Sequence, residues 1–91
     1  MEFEWDENKR IANLAKHNID FADVWAVFED EHKFEFVDNR KDYGEERRRT
    51  IGLMQNVLVV VVVHTQRNTK TRIISVRRAK KQERSLYYGN R

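Results

Sequence analysis

Arginine and lysine gathered at one junction are the residues of this chain best suited to chemistry. The stretch RIISVRRAKKQER, Arg72 to Arg84, holds six Lys or Arg residues and one acid in thirteen positions. It reads as a strand that runs into a helix, so the charge collects at one end of a sheet. A guanidinium offers a planar fork that grips two oxygens of a phosphate, and such cations offset charge that develops on phosphorus. In the closing helix the spacing of Arg77, Lys81, Arg84 and Tyr88 gives a basic stripe. Glu83, the last acid of the chain, either pairs with an arginine or takes part in proton transfer.

Other chemistries find little to work with. Cysteine is absent, so no disulfide frame, thiolate nucleophile or Cys-based zinc site can form. His17, His32 and His64 lack metal-ligand spacing, and the carboxylates lack the spacing of a magnesium nuclease. Ser75 has no evident His–Asp partners, and there is no phosphate-binding glycine loop. No cofactor or metal is expected. The remaining Arg, Lys and His set suits metal-free RNA cleavage, in which the 2′-hydroxyl attacks its own phosphate. That reaction needs a base, an acid and cations around the phosphate. Only RNA carries the 2′-hydroxyl, so DNA would not be cut. The same charge also suits a nucleic-acid-binding module without catalysis, or a pure interaction domain that receives an acidic partner.

The net charge of +3 conceals a polarised chain. Residues 1–45 carry 6 Lys/Arg and 13 Asp/Glu, whereas residues 46–91 carry 12 Lys/Arg and 2 Asp/Glu. A basic half of this kind reads as a polyanion site. The opening MEFEWDENKR is acidic and polar, unlike a secretory signal, and the apolar run Val57 to Val63 is far short of the ~20 residues of a membrane helix. A soluble, cytoplasmic chain of one domain over residues 1–91 is expected.

The elements that must position these residues follow from pattern. Phe3-Glu4-Trp5 is a candidate extended segment. Asp6 is placed to cap a helix from Glu7 to His17, which Asn18 ends in a left-handed conformation. Asp20 caps a second helix, with Ile19 and Val24 as a hydrophobic staple. Phe21, Val24, Trp25 and Phe28 recur at helical spacing and predict core. Four strands follow: Lys33–Asp38, Glu46–Met54, Val57–Thr65 and Thr71–Arg77, with Gln55-Asn56 as a tight hairpin. Arg47, Arg49, Ile51 and Leu53 share one face of their strand, and Val57–Thr65 is apolar on both faces and therefore central. In the last strand, Ile74 and Val76 face one way, and Ile73, Ser75 and Arg77 the other. A helix from Ala79 to about Tyr88 closes the chain. The pattern predicts an α+β fold: two N-terminal helices, a four-stranded antiparallel sheet and a C-terminal helix.

Three stretches together resemble a known family. FEWDENKRIANLAKHNIDFADVWAVF, GEERRRTIG and RIISVRRAKKQERSLYY are similar to the BrnT family of bacterial toxins, across nearly the whole chain. The resemblance implies a RelE-like fold and a ribonuclease that halts translation and growth. It implies a BrnA-like ribbon-helix-helix antitoxin as partner, in a heterotetramer that represses its own operon at operator DNA. Under that setting the non-catalytic alternative becomes a co-repressor module. The matching positions are Trp5, Lys9, Lys16 and His17 near the start, and Arg67, Ser75, Arg77, Glu83, Arg84 and Tyr87 later. This chain departs from the family pattern at Asn18, where glycine is usual, and at His64, near which tyrosine is usual.

The residues thus expected to cut RNA are Lys16, His17, Arg67, Arg77 and Glu83. Arg67 and Arg77 serve as phosphate cations, and Lys16 or His17 serves proton transfer or RNA positioning. The residues expected to contact RNA are Lys9, Arg49, Ser75, Lys81, Arg84 and Tyr87. Trp5 is expected to pack.

Overall fold

The computed structural model describes residues 1–89; Asn90 and Arg91, the end of the expected domain, lie outside the described residues. Strand β1 (Glu2–Trp5) leads into helix α1 (Glu7–His17). A 3₁₀ turn (Phe21–Asp23) and helix α2 (Trp25–Glu29) precede β2 (Phe34–Asp38), β3 (Arg47–Met54), β4 (Leu58–Arg67) and β5 (Lys70–Arg78). Helix α3 (Lys81–Gly89) follows. The five strands form one sheet in the order β1-β5-β4-β3-β2. Among the described residues no helix is long and apolar enough to cross a membrane.

The expected α+β class holds, but its layout needs two corrections. The sheet is mixed, with five strands, because β1 pairs parallel to β5 from Glu2↔Lys70 to Trp5↔Ile73. This pairing joins the two ends of the chain, and no local pattern encodes it. The second N-terminal helix is broken. Its buried residues Phe21, Val24 and Val27 fall three apart, the period of a 3₁₀ helix, so the segment begins as a 3₁₀ turn. Trp25, expected in the core, is turned outward and is 56% exposed.

Local chemistry accounts for most of the other boundaries. The Asp6 carboxylate accepts hydrogen bonds from the backbone of Asn8 and Lys9 and starts α1. Asn18 ends it at φ 58°, with its N–H donating to Leu14. Gln55 and Asn56 both take positive φ, as a type I′ hairpin requires. The valine run of β4 is buried on both sides in the middle of the sheet.

Two cores result. On one side, α1, the 3₁₀ turn and α2 cover Val60, Val62, Ile73 and Val76. On the other, Ala79 and Tyr87 cover Ile51, Val59 and Val61, with Phe34 and Phe36 alongside. A bulge corrects the expected alternation of β5. Val63 pairs with Ser75 but His64 pairs with Ile73, which leaves Ile74 unopposed. Ile73 and Val76 therefore reach the same core, and Ser75 and Arg77 face the α3 side.

Candidate functional site

The register of the sheet builds a basic face. Phe36 pairs with Arg49, Arg49 with Val63, and Val63 with Ser75, so these four make one row across four strands. The neighbouring row runs from Phe34 through Ile51 and Val61 to Arg77. On the other side of the Arg49 row, Asp38 pairs with Arg47. Paired residues project to the same side of a sheet. Arg47, Arg49 and Arg77 thus rise beside the apolar patch that Ala79 and Tyr87 cover. Arg77 belongs to β5, which corrects its expected place in a helical stripe; only Lys81, Arg84 and Tyr88 of that stripe lie on α3.

Two carboxylates hold this face together, Asp38 buried and Glu83 half-buried. The Asp38 side chain is fully buried and accepts from Arg40 at 2.7 and 2.8 Å and from the Tyr43 hydroxyl at 3.3 Å. The Arg40 hydrogen bonds push its carboxyl down to about 2, against the cost of burial. Arg49 Nε lies 3.8 Å from the same carboxylate, beyond hydrogen-bond reach. The guanidinium of Arg49 stacks 4.5 Å over Phe36, and that of Arg47 stacks 4.2 Å over Tyr43. Among the described residues Arg49 Nε is the one buried polar side-chain atom without a hydrogen-bond partner.

Glu83 grips Arg77 with two bonds, Nη1 to Oε1 at 2.7 Å and Nη2 to Oε2 at 2.8 Å. It also accepts from the Lys80 backbone N–H at 2.8 Å, half of a capping box at the start of α3. Hydrogen bonding from Arg77, above all, pushes the Glu83 carboxyl down to about 2. Arg77 remains a cation whose ionisation that carboxylate reinforces. Glu83 is therefore ionised at neutral pH and a weak base.

The other expected residues are dispersed. Arg67 ends β4 and bonds Glu45 at 3.3 Å; six residues separate it from Val61, the partner of Arg77, which is about 20 Å along a strand. Lys81 and Arg84 are exposed on α3, and Arg84 donates to the Ala79 carbonyl at 2.9 Å. Tyr87 is buried in the core, and its hydroxyl donates to Asp30 at 2.5 Å. Lys9 is exposed in the first turn of α1, while Lys16 and His17 end that helix on the opposite side of the sheet from Arg77. Trp5 packs on that same core and meets Phe21 edge-on. Among the described residues no group of three His, Asp or Glu side chains converges as metal ligands do.

Sequence reasoning did not single out Asp38, Arg40 and Tyr43. Asp38 ends β2, Arg40 and Tyr43 lie in the turn after it, which reads as polar and solvated, and only the β2–β3 register brings the three onto the arginine rows. The alternation of Arg47 and Arg49 was the visible part of the signal.

The comparisons with known proteins agree on one family. A family model described as the ribonuclease toxin BrnT of type II toxin–antitoxin systems matches residues 5–83. The 1.1 Å crystal structure of the Brucella abortus ribonuclease toxin BrnT superposes with a TM-score of 0.69 and 30% sequence identity. That match covers 89% of this chain and 99% of the Brucella chain. Among curated protein sequences none matches.

Proposed function

The chain belongs to the BrnT family of ribonuclease toxins of type II toxin–antitoxin systems, and from that premise we propose that its arginine face holds and cuts RNA without a metal ion. The observation that carries the reading is the row itself: Arg49, a half-buried cation 3.8 Å from Asp38 with no hydrogen bond from its Nε, stands in line with Ser75 and next to the row of Arg77. The planar fork of an arginine in such a row suits a phosphate.

The chemistry follows from the RNA itself. The 2′-oxygen attacks phosphorus while the bond to the 5′-oxygen breaks. A base takes the 2′-proton, and an acid returns a proton to the 5′-oxygen. The products are a 2′,3′-cyclic phosphate and a 5′-hydroxyl. Arg77, Arg49 and Arg47 offset the charge that grows on the phosphoryl oxygens. Glu83 orients Arg77, and the weak basicity of its carboxylate leaves proton transfer to other groups. Lys16 and His17 lie across the sheet from Arg77, out of reach of the phosphate it holds, so of their two expected roles RNA positioning is the one kept. An RNA that passes Arg78 comes near their end of α1, because Arg78 shares a small cavity with Asn18 and Ile19. Arg67 holds a more distant phosphate of the same strand. Lys9, Lys81 and Arg84 add exposed positive charge along the way.

Membership of a type II system implies an antitoxin as partner. We take it to be a ribbon-helix-helix protein that covers the arginine face in a heterotetramer and carries the toxin to operator DNA in the cytoplasm. The test is incubation of a labelled RNA with purified protein in EDTA, with mass spectrometry of the new ends. Cyclic phosphate ends support the reading. RNA binding without cleavage, in EDTA and with magnesium alike, would favour a co-repressor module.

A further inference from the structure

A second polar cluster lies on the other side of the sheet, where the arginine rows do not reach. Arg48 and Ile73 flank His64 in the register, and the His64 ring meets Phe28 edge-on at 4.9 Å. Thr50 Oγ1 lies 2.9 Å from Glu35 Oε1 and 2.7 Å from His64 Nε2. A hydroxyl has one proton. Thr50 donates it to the Glu35 carboxylate, so it accepts from His64, which assigns the Nε2–H tautomer to the ring. Burial favours the neutral imidazole, against the pull of Glu35. The other nitrogen, Nδ1, then carries a lone pair. Since Arg49 Nε is the only buried orphan among the described residues, Nδ1 opens to accessible space.

That space is a cavity of about 400 Å³, lined in part by Phe28, Lys33, His64, Gln66 and Thr71. Its carboxylates and Arg48 are compensated by the protein itself, and Lys33 stays unpaired among the described residues. Arg48 pairs with Glu35 at 3.4 Å and with Glu46 at 3.0 Å, and Glu45 pairs with Arg47 and Arg67. With each carboxylate paired and a lysine in the lining, the site does not suit a metal ion. It suits a neutral ligand with a hydrophobic body and hydrogen-bonding edges. Glu45 also joins the cavity to the arginine face, because it lines the cavity and binds Arg47 and Arg67.

We propose that this cavity receives one unstacked base of the RNA held on the arginine face, with His64 and Gln66 reading its edge, and so sets the base preference of cleavage. Single-stranded RNA is read in this manner, by splayed bases whose edges meet side chains in a pocket. The proposal rests on the RNA reading above and deepens it. Glu35 and Thr50 act through His64 as positioning residues, since they fix its tautomer and leave Nδ1 to accept from an amino or imino group.

Two experiments test it, and the first does not require cleavage. The His64 ring resonances are followed by NMR while adenosine, guanosine, cytidine and uridine are added separately at millimolar concentration. Nucleosides lack phosphate, so the arginine face contributes little. One nucleoside should shift the ring signals saturably and more than the others. No shift with any of them, or equal shifts with all four, overturns the proposal. In the second experiment, cleavage sites are mapped on one RNA for the wild type and His64→Phe. The ratio of cleavage at the preferred base over the others should fall about tenfold, the discrimination of one good base contact. An unchanged ratio overturns the proposal. Failure of the wild type to cut any RNA would instead count against the ribonuclease reading and leave the NMR result to decide the pocket.

Discussion

Arg77 on β5 and Glu83 on α3 are locked together by two parallel hydrogen bonds of 2.7 and 2.8 Å, while the same carboxylate caps the helix it sits on. One side chain thus fixes both the direction of the guanidinium and the point where α3 begins. Glu83→Gln should keep the cap, because an amide oxygen also accepts, but loosen the arginine. We expect kcat on RNA to fall about 10- to 100-fold with KM little changed, as misplacement of a positioned group does. Steady-state kinetics separate this from a purely structural role, which would lower Tm and leave kcat intact.

Acid should weaken the fold through two carboxylates. Asp38 and Glu83 both titrate at about 2 in the folded protein, chiefly because Arg40 and Arg77 hydrogen-bond them. Their folded values lie below the unfolded ones of about 4. Their contribution is thus fully present above that pH and is lost as pH falls through the folded values. Tm should decline steeply between pH about 4 and 2, and less steeply in Asp38→Asn and Glu83→Gln. Thermal melts across that range check it.

Tyr87 should matter for stability more than for RNA. Its hydroxyl donates to Asp30, which also accepts from the backbone of Leu53 and His32. Burial raises the Asp30 carboxyl, yet these bonds together hold it below its usual value. Tyr87→Phe removes a donor from a partly buried carboxylate and should cost about 1–3 kcal/mol. Urea denaturation measures the loss, and filter binding should show RNA affinity within twofold of wild type.

How much of this was legible beforehand differs from element to element. The sequence showed α1 from cap to cap, since Asp6 and Asn18 act through their own neighbours. The Gln55-Asn56 hairpin and the central valine strand were legible for the same local reason. The β1–β5 pair was not, because 68 residues separate Glu4 from Arg72, whose side chains also meet there. Trp25 breaks the helical period because the segment before it winds as a 3₁₀ turn, which rotates the tryptophan away from the core. The basic junction was visible, but its carboxylate anchors and the bulge at Ile74 depend on register, which composition does not encode.

Gly52 should resist substitution. A Cβ built there would lie 2.7 Å from Val27 Cγ1 and 3.3 Å from the Val27 carbonyl oxygen, so α2 approaches the sheet against bare backbone. Gly52→Ala should cost about 1–3 kcal/mol by overpacking. A lower urea midpoint at unchanged m-value would confirm it.

RNA affinity should fall as salt rises, because phosphates release counterions when arginines replace them. Removal of one phosphate contact should lower the slope of log K against log salt by about 0.7 for a single strand. Arg49→Ala should show that change in a fluorescence titration across salt concentrations.

The most direct test of the account is cleavage of a labelled RNA in EDTA by the wild type and by Arg77→Ala side by side. The account predicts cyclic phosphate ends from the wild type and a rate about 10²–10³-fold lower from the variant, with circular dichroism unchanged. Cleavage that EDTA abolishes, or a folded Arg77→Ala protein that cuts as fast as wild type, would contradict it.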